Sequence, residues 1–178
     1  VQRHIQGVIV PRKFQRRLRE RQGGAKQRAL GLRKNIYEEA QILLGSLSDR
    51  DRLMLLVGMY WGEGTKKDFA IINSDPLLLQ TFVKCLRTIF KIPNNRISGG
   101  LRVHRDISIE KCRKFWSQSL AISPEAFHRS EIIEGKKKGK LPYGMCRIRV
   151  RSGIKERVLV QTLISLIGKE SKSKVLSR

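Results

Sequence analysis

The sequence predicts an α+β protein, on three observations. Apolar residues recur at helical spacing in several separate stretches, among them Leu53 to Tyr60, Leu79 to Phe90, Ile109 to Trp116 and Val158 to Ile167. Between them lie short strand-like runs: Asp68 to Asn73, with bulky residues alternating toward a core, Ile97 to Val103, and Cys146 to Arg151, where apolar and Arg residues alternate. Turn residues such as Ile92-Pro93-Asn94-Asn95 and Ser123-Pro124 separate the two kinds of segment. The resulting order is helix, strand or hairpin, helix, strand, helix, strands, helix, a mixed succession that suits α+β architecture.

The first of these helices organises the rest. Ser48 with Asp51 three residues on reads as a capping box. Leu53, Leu56, Val57 and Tyr60 then share one face for burial, and Gly64 ends the helix. Gly58 and Gly62 stand one turn apart and carry no Cβ, so a second backbone can approach closely there. Glu63 sits where the last unpaired carbonyls already concentrate negative charge, so it calls for a cation. Lys66 or Lys67 can supply one; the alternative is a divalent cation held by Glu63 and a helix-end carbonyl.

Downstream, Asp68 to Asn73 is a strand, and Asp75 with Pro76 is an N-cap and first helical position for a helix through Leu79, Phe82, Val83, Leu86 and Phe90. Ile97, Leu101 and Val103 mark the next strand, loosened by Gly99-Gly100, with Arg102 and His104 on the opposite side. Ser108 to Leu120 is helical, and its Phe115 and Trp116 read as core rather than as a base-stacking platform. Phe127 to Ile133 is a further strand. Lys136, Lys137, Lys138 and Lys140, with Gly135 and Gly139, form a basic loop composed for touching phosphates, or else a solvated hairpin tip.

In Cys146 to Arg151 the alternation is perfect. Cys146, Ile148 and Val150 point inward, and Arg147, Arg149 and Arg151 form a row on the other face. Three neighbouring guanidiniums repel one another unless phosphates or guanine edges lie over them, and Arg meets both in bidentate fashion. A closing amphipathic helix and a polar tail at residues 169–178 follow.

The formal charge of +23 and a sequence pI near 10.9 call for a polyanionic partner, nucleic acid by default. No apolar run approaches the roughly 20 residues of a membrane-spanning helix, and no signal-peptide pattern opens the chain, so a cytoplasmic, nucleoid-associated protein is expected. Cys85, Cys112 and Cys146 are widely separated and read as buried thiols rather than a zinc site or a disulfide framework. Residues 1–46 read as a basic, partly helical arm interrupted by Gly23-Gly24, with Arg12, Lys13, Arg16 and Arg17 placed to lie along phosphates. Within it, Ile36, Ala40, Leu43 and Leu44 give an amphipathic helix expected to pack on the domain or on a partner chain.

The nine residues Leu56-Val57-Gly58-Met59-Tyr60-Trp61-Gly62-Glu63-Gly64 resemble, position by position, the signature of the LAGLIDADG homing endonucleases. Gly58 and Gly64 fall on its glycines, and Glu63 falls on its second acidic position, which in the family binds the catalytic metal. Trp61 departs from the pattern, standing where the family usually has its first acid. Asn73-Ser74-Asp75-Pro76, Phe115-Trp116 and Lys140-Leu141-Pro142-Tyr143-Gly144-Met145-Cys146 resemble a group of small bacterial and phage proteins that join such a domain to an N-terminal helix-turn-helix. The opening Val1 to Val10 resembles the last part of that reader domain. The resemblance spans residues 47–168.

It implies an αββαββα domain with one inserted helix, whose curved antiparallel sheet sits on DNA as a saddle. With one signature rather than two, it implies a homodimer packed through Leu56, Gly58, Met59 and Gly62. The implied activity is Mg²⁺-dependent hydrolysis of both DNA strands. Metal would rest on Glu63 and the Gly62 carbonyl, with Lys66, Lys67, Lys140 or Arg147 as the assisting cation. A non-cleaving DNA-binding regulator of the same fold is the main alternative, and an RNA-binding splicing helper the third. The DNA-facing set is then Lys66, Lys67, Arg102, His104, the lysine loop, the Arg147 row and the basic arm.

Overall fold

A computed structural model describes the backbone of residues 4–5, 8–9, 12–135 and 141–175, and side chains for 23–135 and 141–172. The chain divides into two units, Val1–Leu47 and Ser48–Arg178. In the first unit, β1 (His4–Ile5) pairs antiparallel with β2 (Val8–Ile9), and α1 (Arg12–Leu44) follows. The expected break at Gly23-Gly24 does not occur, because α1 is one helix of 33 residues. Each glycine costs a helix about 1 kcal/mol against alanine, a local debt that a long run of Arg, Lys, Gln, Ala and Leu outweighs. The helix ends where Gly45 takes a left-handed φ of +51°. Its large apolar side chains among the described residues are exposed, Ile36, Leu43 and Leu44 included.

The second unit is mixed α+β. It runs α2 (Asp49–Glu63), β3 (Ala70–Asn73), α3 (Pro76–Ile89), β4 (Ile97–His104), α4 (Ile109–Leu120), β5 (Phe127–Ile133), β6 (Met145–Val150) and α5 (Ile154–Val175). The caps form as their residues dictate. The Asp51 amide donates to Ser48 Oγ at 3.2 Å and the Ser48 amide donates to Asp51 Oδ2 at 2.8 Å, closing the box that starts α2. Asp75 Oδ1 accepts from the Leu77 amide at 2.8 Å and starts α3.

The sheet is four-stranded in the order β3-β6-β4-β5, and it is not antiparallel throughout: β5 lies parallel to β4. The reason is the connection. Helix α4 carries the chain back along the sheet, so β5 must restart in the direction of β4, as in any βαβ unit. The last strand, β6, enters the middle and pairs antiparallel with both β3 and β4.

Inward side chains meet the helices. Leu56, Val57 and Tyr60 of α2, Leu79, Phe82, Val83 and Leu86 of α3, and Cys112 and Trp116 of α4 join Ile71, Leu101, Ile148 and Val150 of the sheet in one core. Trp116 also donates through its indole N–H to the Tyr143 carbonyl at 2.8 Å, while the Phe115 ring stacks on that of Tyr143. Gly99 is required for this packing, because a Cβ there would lie 2.3 Å from the Phe127 ring. All three cysteines are free and buried, and burial pushes their thiols above the ordinary range.

Candidate nucleic-acid interface

The opposite face of the sheet is where the charge gathers. The registers place Ser98, Arg149 and Ala70 side by side on neighbouring strands, then Arg129, Gly100, Arg147 and Ile72, then Glu131, Arg102 and Met145. These positions alternate with the core positions, so one pleat separates an apolar layer from a cationic one. All of them but Ala70 and Met145, together with His128, Arg151 and Ser152, border an open groove of about 600 Å³. Gly100 leaves the floor low between Arg147 and Arg129, since a Cβ there would come within 3.7 Å of Arg147.

The guanidiniums do not repel one another unopposed. Asp68, in the loop before β3, sets one carboxylate oxygen 2.5 Å from Arg147 Nη2 and the other 3.2 Å from Arg149 Nη2. Glu131 accepts from Arg102 Nε at 2.8 Å, and Arg151 is hydrogen-bonded to His128 Nε2. Arg129 is exposed and makes no ion pair among the described residues. Five arginines against two carboxylates leave the groove cationic, with planar donors suited to phosphate oxygens and guanine edges.

The sequence-predicted residues fall into groups. Arg102, Arg147, Arg149 and Arg151 all border the groove. His104 does not. It keeps the parity of Arg102, but at the end of β4 it is only 7 % exposed, with Nδ1 3.3 Å from the Glu134 carbonyl oxygen. The expected contact with nucleic acid by His104 is therefore corrected to a buried, backbone-bonded role. Lys136, Lys137, Lys138 and Lys140 lie outside the described residues, as do the side chains of Arg12, Lys13, Arg16 and Arg17. Arg129, His128 and Asp68 are groove elements that the sequence pattern did not single out. Their signal is pairing: Arg129 becomes visible only once β5 is laid beside Gly100.

The end of α2 forms a second feature. The Gly64 amide makes the last helical bond, to Tyr60 O at 2.8 Å, and the helix stops because the chain turns extended at Gly64. Only glycine fits, since a Cβ on Gly64 would sit 2.2 Å from that same carbonyl oxygen. The Tyr60 hydroxyl donates to the carbonyls of Thr65 at 2.7 Å and Asp68 at 3.1 Å, and burial pushes its phenol above the usual range, which keeps it a donor. Arg157 of α5 donates to the carbonyls of Lys66 and Lys67. The loop after the helix is thus held from both sides.

Glu63 is exposed and its carboxylate makes no ion pair or hydrogen bond among the described residues, so neither Lys66 nor Lys67 pairs with it. A carboxylate beside unpaired helix-end carbonyls is an oxygen donor set of the kind Mg²⁺ takes. One chain brings one such carboxylate, and the described residues hold no group of three or more metal-ligating side chains. Trp61, 55 % exposed, adds no oxygen to the set.

Along α2, the outward stripe is Leu55, Gly58 and Gly62, and a Cβ on either glycine would meet nothing within 4 Å. Met59 is half-buried at the margin of that stripe. Leu56, expected at a dimer seam, is fully buried in the chain's own core, because it shares its stripe with Tyr60 rather than with the glycines. No described helix is long and apolar enough to cross a membrane. Compared with models of protein families, with curated proteins and with solved structures, the chain finds no match.

Proposed function

We propose that the protein binds duplex DNA across the arginine groove and, as a homodimer, hydrolyses both strands in a Mg²⁺-dependent reaction. The groove carries this reading: a row of guanidiniums on a sheet face, open to solvent, in a chain of formal charge +23. With α3 set aside as an inserted helix, the second unit runs α, β, β, α, β, β, α, in keeping with the resemblance to the LAGLIDADG homing endonucleases. The outward stripe of Leu55, Gly58 and Gly62 supports close approach by the same helix of a second chain across a two-fold, which brings two Glu63 carboxylates toward one axis.

In this reading the groove arginines neutralise and orient the phosphate backbone, and the Tyr60-held loop fixes Glu63 at the helix end. A magnesium ion held by Glu63 and the Gly62 carbonyl would supply an activated water and a counter-charge for the leaving oxygen. Glu63→Gln keeps the size of the side chain and removes its charge. It is expected to abolish Mg²⁺-dependent double-strand breaks on selected DNA while leaving gel-shift affinity intact; undiminished cleavage by this variant sinks the role of Glu63.

A second reading, a DNA-binding regulator that does not cut, is favoured by Trp61, whose indole offers no metal-binding oxygen beside Glu63. Selection of bound duplexes followed by incubation of the winners with Mg²⁺ separates the two. Breaks at a fixed position support the nuclease, and intact bound DNA supports the regulator. A structured RNA that outcompetes every duplex moves the assignment to RNA.

A further inference from the structure

Asp68 is an acid set against two arginines of the cationic face, Arg147 and Arg149, and nothing in a purely phosphate-binding surface calls for it. An anion there weakens attraction to phosphate, since the two guanidiniums it touches keep a net charge of about one rather than two. Its placement is nonetheless firm. The Asp68 carbonyl accepts from Tyr60 Oη at 3.1 Å, Thr65 Oγ1 at 3.0 Å and the Ala70 amide at 3.0 Å. Three donors on one backbone oxygen, in a loop whose two preceding carbonyls are held by Arg157, fix the backbone from which the carboxylate reaches Arg147 and Arg149.

We infer that Asp68 is a specificity-determining positioning residue, which holds Arg147 and Arg149 as a fixed pair of forks that read base edges rather than merely neutralise phosphates. The inference rests on the DNA-binding reading of the groove. An unrestrained arginine finds the nearest phosphate, because that attraction is strong and non-directional. An arginine with one terminal nitrogen bound to a fixed carboxylate has lost part of that freedom and part of its charge, and it presents its remaining donors in one orientation. That exchange favours discrimination over raw affinity, because bidentate recognition of guanine depends on the plane of the fork. Arg129, without an ion-pair partner among the described residues and one strand pair away across Gly100, is by contrast free to follow the backbone.

The test is Asp68→Asn on the full chain, with binding to the best duplex from a selection and to a scrambled duplex measured across a salt series. The expected result is opposed changes. Affinity for the scrambled duplex rises, with a salt slope steeper by about one phosphate equivalent, or about 0.9 in the logarithmic slope. The preference for the selected duplex falls about tenfold. Asp68→Glu, which keeps the charge, restores part of the preference, and Arg149→Lys, which keeps charge but loses the fork, loses it.

A merely structural role would lower both affinities together with the melting temperature, and that outcome overturns the inference. So does an unchanged preference in Asp68→Asn, or a wild-type chain that binds all duplexes alike. A wild-type chain that binds no duplex at all overturns the DNA-binding reading itself, and the inference with it.

Discussion

Strand β6 has two faces that obey different physics. Cys146, Ile148 and Val150 are buried under the helices, while Arg147, Arg149 and Arg151 face the groove. The buried side is held by removal from water, worth about 25 cal/mol per Å² of apolar surface, and it is indifferent to salt. The open side is held by partly exposed ion pairs to Asp68, each worth about 1 kcal/mol or less, and it is sensitive to ionic strength. A single pleat thus divides the apolar layer that stabilises the fold from a charged, salt-sensitive one. Changes on one face should leave the property of the other largely alone.

The largest effect that would sharpen this contrast is on the covered face. Ile148→Ala empties a site with no solvent exposure and is expected to cost about 2–5 kcal/mol in chemical denaturation, with salt dependence unaltered. A loss below the range of surface substitutions would show that this face is not the core. The next effect is of pH. Burial pushes the Cys146 thiol far up, so in alkali the unfolded chain ionises there while the folded chain does not. A raised folded-state pKa means that the contribution is complete below the ordinary thiol range and is lost as pH rises through it. The melting temperature should therefore fall above about pH 9, and fall less steeply in Cys146→Ala. Cys85 and Cys112 are shifted in the same direction, so part of the slope persists. An identical slope in the variant would contradict the burial of this thiol.

The smallest effect on stability belongs to the open face. Arg149→Ala should change unfolding free energy by no more than about 0.5 kcal/mol. It should nevertheless weaken duplex binding, more for a selected than for a scrambled duplex, with a smaller fall in salt slope than loss of a phosphate contact gives. Unchanged affinity and slope would break the comparison, because the row would then point at nothing.

What the sequence discloses follows the reach of each interaction. The capping box of Ser48 and Asp51 spans three residues, and the alternation of β6 spans six, so both are written in consecutive letters. The helical stripe of Leu56, Val57 and Tyr60 is equally local. By contrast, the parallel pairing of β4 with β5 joins strands separated by a helix, and nothing within either strand states its direction. Alternation alone puts His104 on the side of Arg102, but says nothing of burial at a strand end, where His104 lies against the Glu134 carbonyl. Alternation makes Asp68 no more than the start of a strand. Its meeting with Arg147 bridges 79 positions, and it becomes legible only after β3 is laid against β6. The groove was therefore half visible: its cations from the pattern of one strand, its carboxylates only from the pairing of several.

The central place of β6 bears on how the protein is made. Ala70 pairs with Arg149 and Ile97 with Val150, so the strand that joins the two halves of the sheet is the last one synthesised. Until it arrives, β3 and β4 are unpaired edges facing one another across a gap, and the contacts that close the domain are long in sequence, which slows folding. A chain ended before Met145 is expected to show no cooperative unfolding transition, and one that melts cooperatively would refute this. The arginine row thus reaches the nascent protein in the same step that completes its fold. Before β6 and the residue after it are made, the groove lacks three of its five arginines, Arg147, Arg149 and Arg151.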